Sequence, residues 1–150
     1  MSEHHHPVSA PCAGDLFGGS RLSAARRAIA EAVRSLGGAF TAEELHAAVS
    51  ATHAGIGVAT VYRAVAAMSA AGALAPVGSR DGSTLYALCA GGDHHHHLVC
   101  TGCGTVVGIE CPVDGSLLSS AKSAGYTVTA HEVTLYGLCA ACAACAAERD

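Results

Sequence analysis

The chain after residue 22 has the hydrophobic spacing of an α-helix. Ile29, Val33 and Leu36 recur at steps of three and four residues, so their side chains line one helical face. Ser23 precedes this run where a helix is capped, and the pair Gly37-Gly38 follows it where a helix ends. A first helix is therefore predicted between these two signals.

Two more helices are predicted by the same reasoning. Residues 41–44, Thr-Ala-Glu-Glu, form a capping box, in which the first and fourth side chains bond each other's backbone. The buried stripe of this second helix is predicted to be Leu45, Ala48 and Val49. A third helix is predicted over residues 58–71 and ends at Gly72. Its apolar side is predicted to contain Val58, Val61, Tyr62, Val65 and Met68.

A β-hairpin is predicted after the third helix. Two short runs of β-prone residues lie at 73–77 and 84–88, and the residues between them include Asp81-Gly82. This dipeptide favours the tight turn that joins two antiparallel strands. Three helices followed by a hairpin are the arrangement of a winged helix-turn-helix.

The second half of the chain alternates strand and helix patterns. Strands are predicted at 95–100, 105–110 and 126–138, with a helix at 113–124. Gly91-Gly92 marks the boundary between the halves. We therefore predict an α+β protein. Its parts are a loosely ordered arm at 1–19, a winged-helix domain at 20–90, and a small α/β domain at 91–150.

Charge is distributed unevenly over these two halves. The 150 residues carry a net charge of −4, which does not indicate a polyanionic partner for the whole molecule. Residues 20–80 contain six arginines against three glutamates, whereas residues 81–150 contain two basic residues against seven acidic ones. The first half is thus suited to phosphates and the second to cations. With no apolar leader and no stretch long enough for a membrane span, we expect a cytoplasmic protein with no membrane partner.

Four cysteines form the strongest chemical signal in the chain. They occur as two C-x2-C pairs separated by 35 residues, namely Cys100, Cys103, Cys139 and Cys142. Each two-residue spacer lets both sulfurs of a pair face one ion, so the pattern predicts a tetrahedral structural zinc site. A redox role for one of the dithiols is the alternative.

Four consecutive histidines at 94–97 predict further metal sites. Side chains alternate across a strand, so odd and even positions face opposite sides and start two separate ligand groups. We expect one group to contain Cys89, His95 and His97. We expect the other to contain His94, His96, His131 and Asp114. The alternative is a solvated polyhistidine loop. Cys12, Cys111, Cys145 and the tract His4-His5-His6 are left outside both groups, although Cys111, next to Glu110, could substitute in a metal site.

The start of the third helix carries the residues expected at DNA. In a helix-turn-helix the first turns of this helix enter the major groove. Here those turns contain Thr60-Val61-Tyr62-Arg63. Arg63 is suited to phosphate or guanine, and Tyr62 to a thymine methyl group or a phosphate. The alternative places Tyr62 in the core and Arg63 on a solvated face.

Together, the Thr60–Arg63 motif, the histidine run leading into Cys100 and the two cysteine pairs resemble the Fur family of metal-dependent transcriptional repressors. The resemblance is strongest to the zinc-responsive branch, Zur. It implies a C-terminal dimerisation domain with the four-cysteine zinc site, and regulatory metal on the two histidine groups near the hinge. It also implies DNA contacts by Tyr62, Arg63 and the basic position of the first helix, Arg26. One departure is Ala75, which stands where similar proteins supply an aspartate ligand to the hinge site.

The resemblance implies a homodimeric repressor that binds a double-stranded DNA operator when loaded with Zn²⁺ and controls zinc-uptake genes. A sensor of iron, nickel or peroxide from the same family is the first alternative, and a zinc chaperone without a DNA role is a more distant one. A zinc hydrolase or deaminase is disfavoured because the sequence lacks an H-x-E or H-E-x-x-H arrangement beside its cysteine pairs. We therefore expect a regulator and not an enzyme.

Overall fold

The computed structural model describes residues 15–89 and 95–147. The chain divides into two compact units, residues 1–92 and 93–150. His94, Cys12 and His4-His5-His6 lie outside the described residues. The first unit contains α1 (Ala24–Leu36), α2 (Ala42–Thr52), α3 (Val58–Ala70), β1 (Leu74–Arg80) and β2 (Ser83–Leu88). The second unit contains β3 (His95–Cys100), β4 (Val106–Glu110), α4 (Gly115–Ser123), β5 (Thr134–Gly137) and α5 (Ala140–Ala147).

The caps read from the sequence set the ends of the first two helices. The Ser23 side chain accepts a hydrogen bond from the backbone N–H of Arg26, and Gly37 ends α1 with a φ of 64°. In α2 the Thr41 N–H donates to Glu44 Oε2 over 2.9 Å, and the Glu44 N–H donates to Thr41 Oγ1 over 3.2 Å. Both predicted caps are therefore confirmed. Each cap stabilises its helix because it bonds N–H groups that the first helical turn leaves without a partner.

The core of the first unit lies between its three helices and the hairpin. Its fully buried side chains include Ile29, Phe40, Leu45, Val61 and Met68. The predicted apolar side of α3 is wrong at two positions, since Val58 is 48% and Tyr62 47% exposed. Both occupy the outward face of α3, which is the face available for a partner.

Part of the predicted N-terminal arm belongs to this core. Residues Asp15–Phe17 form a short 3₁₀-helix, and the side chains of Leu16 and Phe17 are buried. The Arg26 guanidinium carbon lies 5.0 Å from the centre of the Phe17 ring, within the range of a cation–π contact. The expected loose order therefore does not extend to these residues, because two large apolar side chains are buried against the helices.

The hairpin has the turn that its sequence predicts. β1 and β2 are antiparallel, and Asp81 and Gly82 take positive φ values of 51° and 82° between them. Two such residues form the mirror-image turn that matches the twist of paired strands. A bulge between Pro76 and Gly78 shifts the register of β1. The predicted wing is confirmed.

The second unit is built on a three-stranded sheet in the order β4-β3-β5. β3 pairs antiparallel with β4 and parallel with β5. β5 is shorter than predicted and pairs only with residues 97–100 of β3. The segment 126–133 has no regular structure, although its pattern resembled a strand. Helix α5 was not predicted.

Many large apolar side chains of the second unit are exposed. Helix α4 contains no buried residue. The exposed large apolar side chains of this unit are Leu98, Val107, Leu117, Leu118, Tyr126, Val128, Leu135, Tyr136 and Leu138. Within the described residues, no helix has both the length and the apolar character needed to cross a membrane.

Candidate metal centres and DNA-facing helix

The structure brings the four paired cysteines together. The sulfur atoms of Cys100, Cys103, Cys139 and Cys142 all lie within 4.8 Å of one another. Cys100 ends β3, and Cys103 lies in the turn that follows. Cys139 immediately precedes α5, and Cys142 lies in its first turn. Strand β3 and the pairing of β5 alongside it thus bring residues 36 or more positions apart to one point.

The turn at the first cysteine pair depends on the absence of a side chain at Gly102. A Cβ atom built there would lie 2.9 Å from Cys142 Sγ and 3.0 Å from Cys142 Cβ. Real Cβ contacts are essentially never shorter than 3.0 Å, so the two pairs approach as closely as they do because this position is a glycine. Gly104 completes the turn with a φ of 75°, and its N–H donates to Cys100 O.

Hydrogen bonds shift the pKa values of two of the four thiols in opposite directions. Backbone N–H groups, that of Cys139 first, lower the pKa of the Cys100 thiol to about 6. The Cys139 N–H lies 3.3 Å from Cys100 Sγ. The neighbouring thiols, Cys139 first, raise the pKa of Cys142 to about 12. Four thiolates are stable together only around a cation, and four sulfur donors of this kind fit Zn²⁺.

A second group joins His96, His131 and Cys111. Their ligand atoms lie within 4.8 Å of one another, with Cys111 Sγ 3.3 Å from His96 Nε2 and 3.1 Å from His131 Nε2. His96 is 2% exposed. Cys111 directly follows β4, and His131 lies in the irregular segment before β5 rather than in the predicted strand. Two imidazoles and a thiol thus meet beside β3.

Asp114, expected in this group, has a different role. Its Oδ1 accepts hydrogen bonds from the N–H groups of Ser116 and Leu117 over 3.0 and 3.1 Å, which caps α4. These backbone bonds, that of Leu117 first, lower the pKa of the Asp114 carboxyl. The structure places the Cys111 thiol with the histidines instead. The sequence feature that indicates Cys111 is its position at the end of β4, the strand that pairs with the histidine run, together with its thiol, which is a soft metal ligand.

The backbone fixes the proton of His96. The Val133 N–H donates to His96 Nδ1 over 3.0 Å, so the neutral ring carries its proton on Nε2, which faces Cys111. Nε2 can bind a metal ion only after it has lost that proton, and the neutral ring then carries its proton on Nδ1. Coordination through His96 Nε2 therefore requires release of the contact with the Val133 N–H.

His95 and His97 share the opposite face of β3. Their ring centres lie 5.1 Å apart, whereas His96 points to Cys111 and His131, so the predicted alternation is confirmed from residue 95 to 97. Burial, followed by the charge of His95, lowers the pKa of His97 and favours the neutral ring that binds metal. Cys89, in the first unit, is buried, and its N–H donates to Ala73 O over 2.8 Å.

The start of α3 presents side chains to solvent. Tyr62 and Arg63 are exposed, and Arg63 Nη2 donates to Thr60 Oγ1 over 3.1 Å. Arg26, on α1, is held by Phe17 and by a bond from its Nη1 to Arg21 O over 3.4 Å. The exposed face of α3 therefore combines a phenol, a guanidinium and small apolar groups. These are the groups that contact base edges and phosphates.

Comparison with known proteins identifies the family. The profile of FUR, the Ferric uptake regulator family, matches residues 18–136. The chain belongs to the Ferric uptake regulator family. A ferric uptake regulation protein of Bordetella parapertussis is 37% identical over 104 residues, which is 69% of this chain and 74% of that protein. A zinc uptake regulation protein of Mycobacterium tuberculosis is 30% identical over 126 residues, covering 83% and 95% respectively.

Solved structures agree with the Fur family fold. A zinc uptake regulator complexed with zinc and DNA is 28% identical, covers 85% of this chain and 86% of its own, and has a TM-score of 0.66. A zinc-bound manganese uptake regulator is 29% identical, with coverage of 85% and 98% and a TM-score of 0.57. The winged-helix unit followed by a dimerisation-type unit is thus the Fur architecture, and the chain is a metal-responsive transcriptional regulator of this family.

Proposed function

We propose that this Fur-family regulator is a zinc-dependent repressor of zinc-uptake genes, active in the cytoplasm as a homodimer on an operator. The observation that carries the choice of metal is that each candidate ligand group contains cysteine. Thiolates favour Zn²⁺ over the harder Fe²⁺ and Mn²⁺. The relatives named zinc uptake regulator support the same choice.

Three ligand sets are proposed for the chain. The structural set is Cys100, Cys103, Cys139 and Cys142. The hinge set is Cys89, His95 and His97, in which Ala75 offers no fourth donor. The second regulatory set is His96, Cys111 and His131, together with His94. Cys111 replaces Asp114 in this last set, because the Asp114 carboxylate caps α4.

Regulation is proposed to act across residues 90–94. Cys89 is the last described residue of the first unit, and His95 is the first described residue of the second. When bound, Zn²⁺ supplies a cation that both units can ligate. Shared coordination by Cys89 and the two histidines would restrict the two units to fewer orientations. If those orientations include the one that fits DNA, binding shifts the population toward the repressor form.

The homodimer and the DNA contacts are proposed from exposed surfaces. The apolar surface of the second unit is suited to a second copy of the chain, because leaving it in water is unfavourable. In the first unit, Tyr62 and Arg63 are proposed to enter the major groove, with Thr60 orienting the guanidinium of Arg63. Arg26 is proposed to contact the DNA backbone.

The second candidate is an iron sensor, which the Bordetella parapertussis relative and others named ferric uptake regulation protein favour. A single experiment separates the two functions. DNA from the promoter of zinc-uptake genes and from that of iron-uptake genes is titrated with the protein in Zn²⁺, Fe²⁺, Mn²⁺ or Ni²⁺. Zinc repression predicts tight binding to the first DNA only with Zn²⁺. Binding restricted to iron-uptake DNA with Fe²⁺ would replace zinc sensing with iron sensing.

A further inference from the structure

Two neighbouring glutamates in the first turn of α2 bond side chains from two other elements of the first unit. The Tyr62 hydroxyl, on the exposed face of α3, donates to Glu43 Oε1. The Arg80 guanidinium, at the end of β1, donates to Glu44 Oε1 and forms an ion pair with it. One acidic pair thus contacts both the recognition helix and the wing.

The Tyr62 contact is held by hydrogen bonding rather than by burial. The Tyr62 side chain is 47% exposed. Its bond with Glu43 is the first cause that lowers the pKa of the Glu43 carboxyl and the first that raises the pKa of the Tyr62 phenol. Because the phenol is at the surface, an acceptor of similar charge from a partner can replace the carboxylate.

The Arg80 contact is equally open to exchange. Arg80 immediately precedes the Asp81-Gly82 turn, and the side chains of Arg80 and Glu44 are each 46% exposed. The Glu44 carboxylate has two functions, because its Oε2 accepts from the Thr41 N–H while its Oε1 accepts from Arg80. The helix cap does not depend on the arginine, so release of Arg80 leaves α2 capped.

We propose that Glu43 and Glu44 form an acidic clamp that holds Tyr62 and Arg80 until DNA phosphates take over as acceptors. Arg80 is thereby assigned as a further DNA contact, and the two glutamates are positioning residues that limit affinity. The assignment rests on the proposed DNA-binding function. A phosphate oxygen accepts the same hydrogen bonds as a carboxylate oxygen, so operator binding exchanges one acceptor for another. The affinity is lowered by the cost of breaking the two internal bonds.

Conservative substitutions test the clamp in the full-length protein with a fixed zinc concentration. Glu43→Gln and Glu44→Gln should each tighten operator binding about twofold to fivefold, the range for exposed charged pairs. Glutamine at position 44 preserves the capping box, so α2 stays intact. Arg80→Ala should weaken binding and flatten the salt dependence by about one unit of slope. Glu31→Gln, on the exposed part of α1, is the control for net charge.

Double variants separate the clamp from simple charge repulsion between glutamate and DNA. If Glu43 acts through Tyr62, the gain from Glu43→Gln disappears in a Tyr62→Phe background. The gain from Glu44→Gln should likewise disappear with Arg80→Ala. An ultraviolet titration of the tyrosines should also show one phenol returning toward its ordinary pKa in Glu43→Gln.

The outcomes distinguish this inference from the proposed function. If the wild type binds no operator with any metal, the regulatory function and the clamp both fail. If the wild type binds but the glutamine variants match Glu31→Gln, only the clamp is wrong. A gain that persists unchanged in the Tyr62→Phe and Arg80→Ala backgrounds also overturns the clamp and leaves charge repulsion as the cause.

Discussion

The close approach of the two cysteine pairs at Gly102 leads to a specific prediction. Gly102→Ala adds one methyl group whose carbon would lie 2.9 Å from Cys142 Sγ, about half an ångström inside ordinary van der Waals contact. The contacted sulfur lies among the other three cysteine sulfurs, so it has little freedom to move away. The substitution should therefore disturb the cysteine site without removing any ligand.

The expected cost follows from overpacking a well-packed site. Adding a methylene-sized group where neighbours cannot yield costs about 1–3 kcal/mol. Loss of glycine flexibility in the unfolded chain offsets this by roughly 0.4–1 kcal/mol. The Leu138 side chain, 3.3 Å from the new carbon, can shift, whereas Cys142 cannot without leaving the cluster. We expect a net destabilisation of about 1–2 kcal/mol.

Gly115→Ala provides a matched control. Gly115 begins α4, and a Cβ atom there meets nothing within 4 Å. The control should be neutral or slightly stabilising, because alanine favours helix. Both variants are compared by thermal unfolding and by the rate at which a chelator removes zinc. If Gly102→Ala melts and retains zinc like Gly115→Ala, the close approach of the two cysteine pairs is wrong.

Further predictions concern individual candidate ligands and the cap of α4. Cys111→Ser should lower zinc content without unfolding the protein. Asp114→Ala should cost about 1 kcal/mol as a lost helix cap and keep all the zinc. Zinc analysis and melting curves distinguish the two variants, and zinc loss from Asp114→Ala would contradict the cap assignment. His95→Ala should preserve folding but remove zinc-dependent DNA binding. Cys103→Ser should destabilise the second unit. Equal melting temperatures of the two variants would refute the separation of regulatory and structural sites. Because the pKa of Cys100 is about 6, the zinc-free thiol is ionised above that pH and protonated below it. A pH titration of the thiolate ultraviolet absorbance of the zinc-free protein should therefore show an ionisation near pH 6 that Cys100→Ser removes, and the absence of that step would argue against the depressed pKa.

Local signals in the sequence predicted the helix ends and the hairpin. The Ser23 cap, the capping box at 41–44 and the Asp81-Gly82 turn each depend on neighbouring residues, so no knowledge of the fold was needed. Each C-x2-C pair is likewise a local signal, whereas the approach of the two pairs depends on the pairing of β5 with β3. Where the chemistry is local, the sequence was sufficient.

Features that depend on packing between distant segments were not predictable in the same way. Tyr62 was predicted both on the apolar side of α3 and at the DNA, and only the packing of α3 against the core shows that its ring faces outward. Cys111 joins His96 and His131 because the end of β4 and the segment before β5 converge there. The burial of Phe17 likewise required the position of α1. In α5, the alanine-rich sequence offered helix propensity but no amphipathic stripe.

The central position of β3 restricts where the length of this chain can change. The side chains of His95, His96 and His97 lie on alternating sides of the strand, and Cys100 ends it. The side of the sheet that each ligand faces therefore depends on whether its position in the strand is odd or even. Deleting or inserting a single residue between 95 and 100 would exchange the two faces and separate histidines from their partners. A change of length before residue 95 leaves that phase intact. Length variation should therefore be excluded within the strand, whereas between Cys89 and His95 it is limited by the need of Cys89 and His94 to reach their proposed ligand sets.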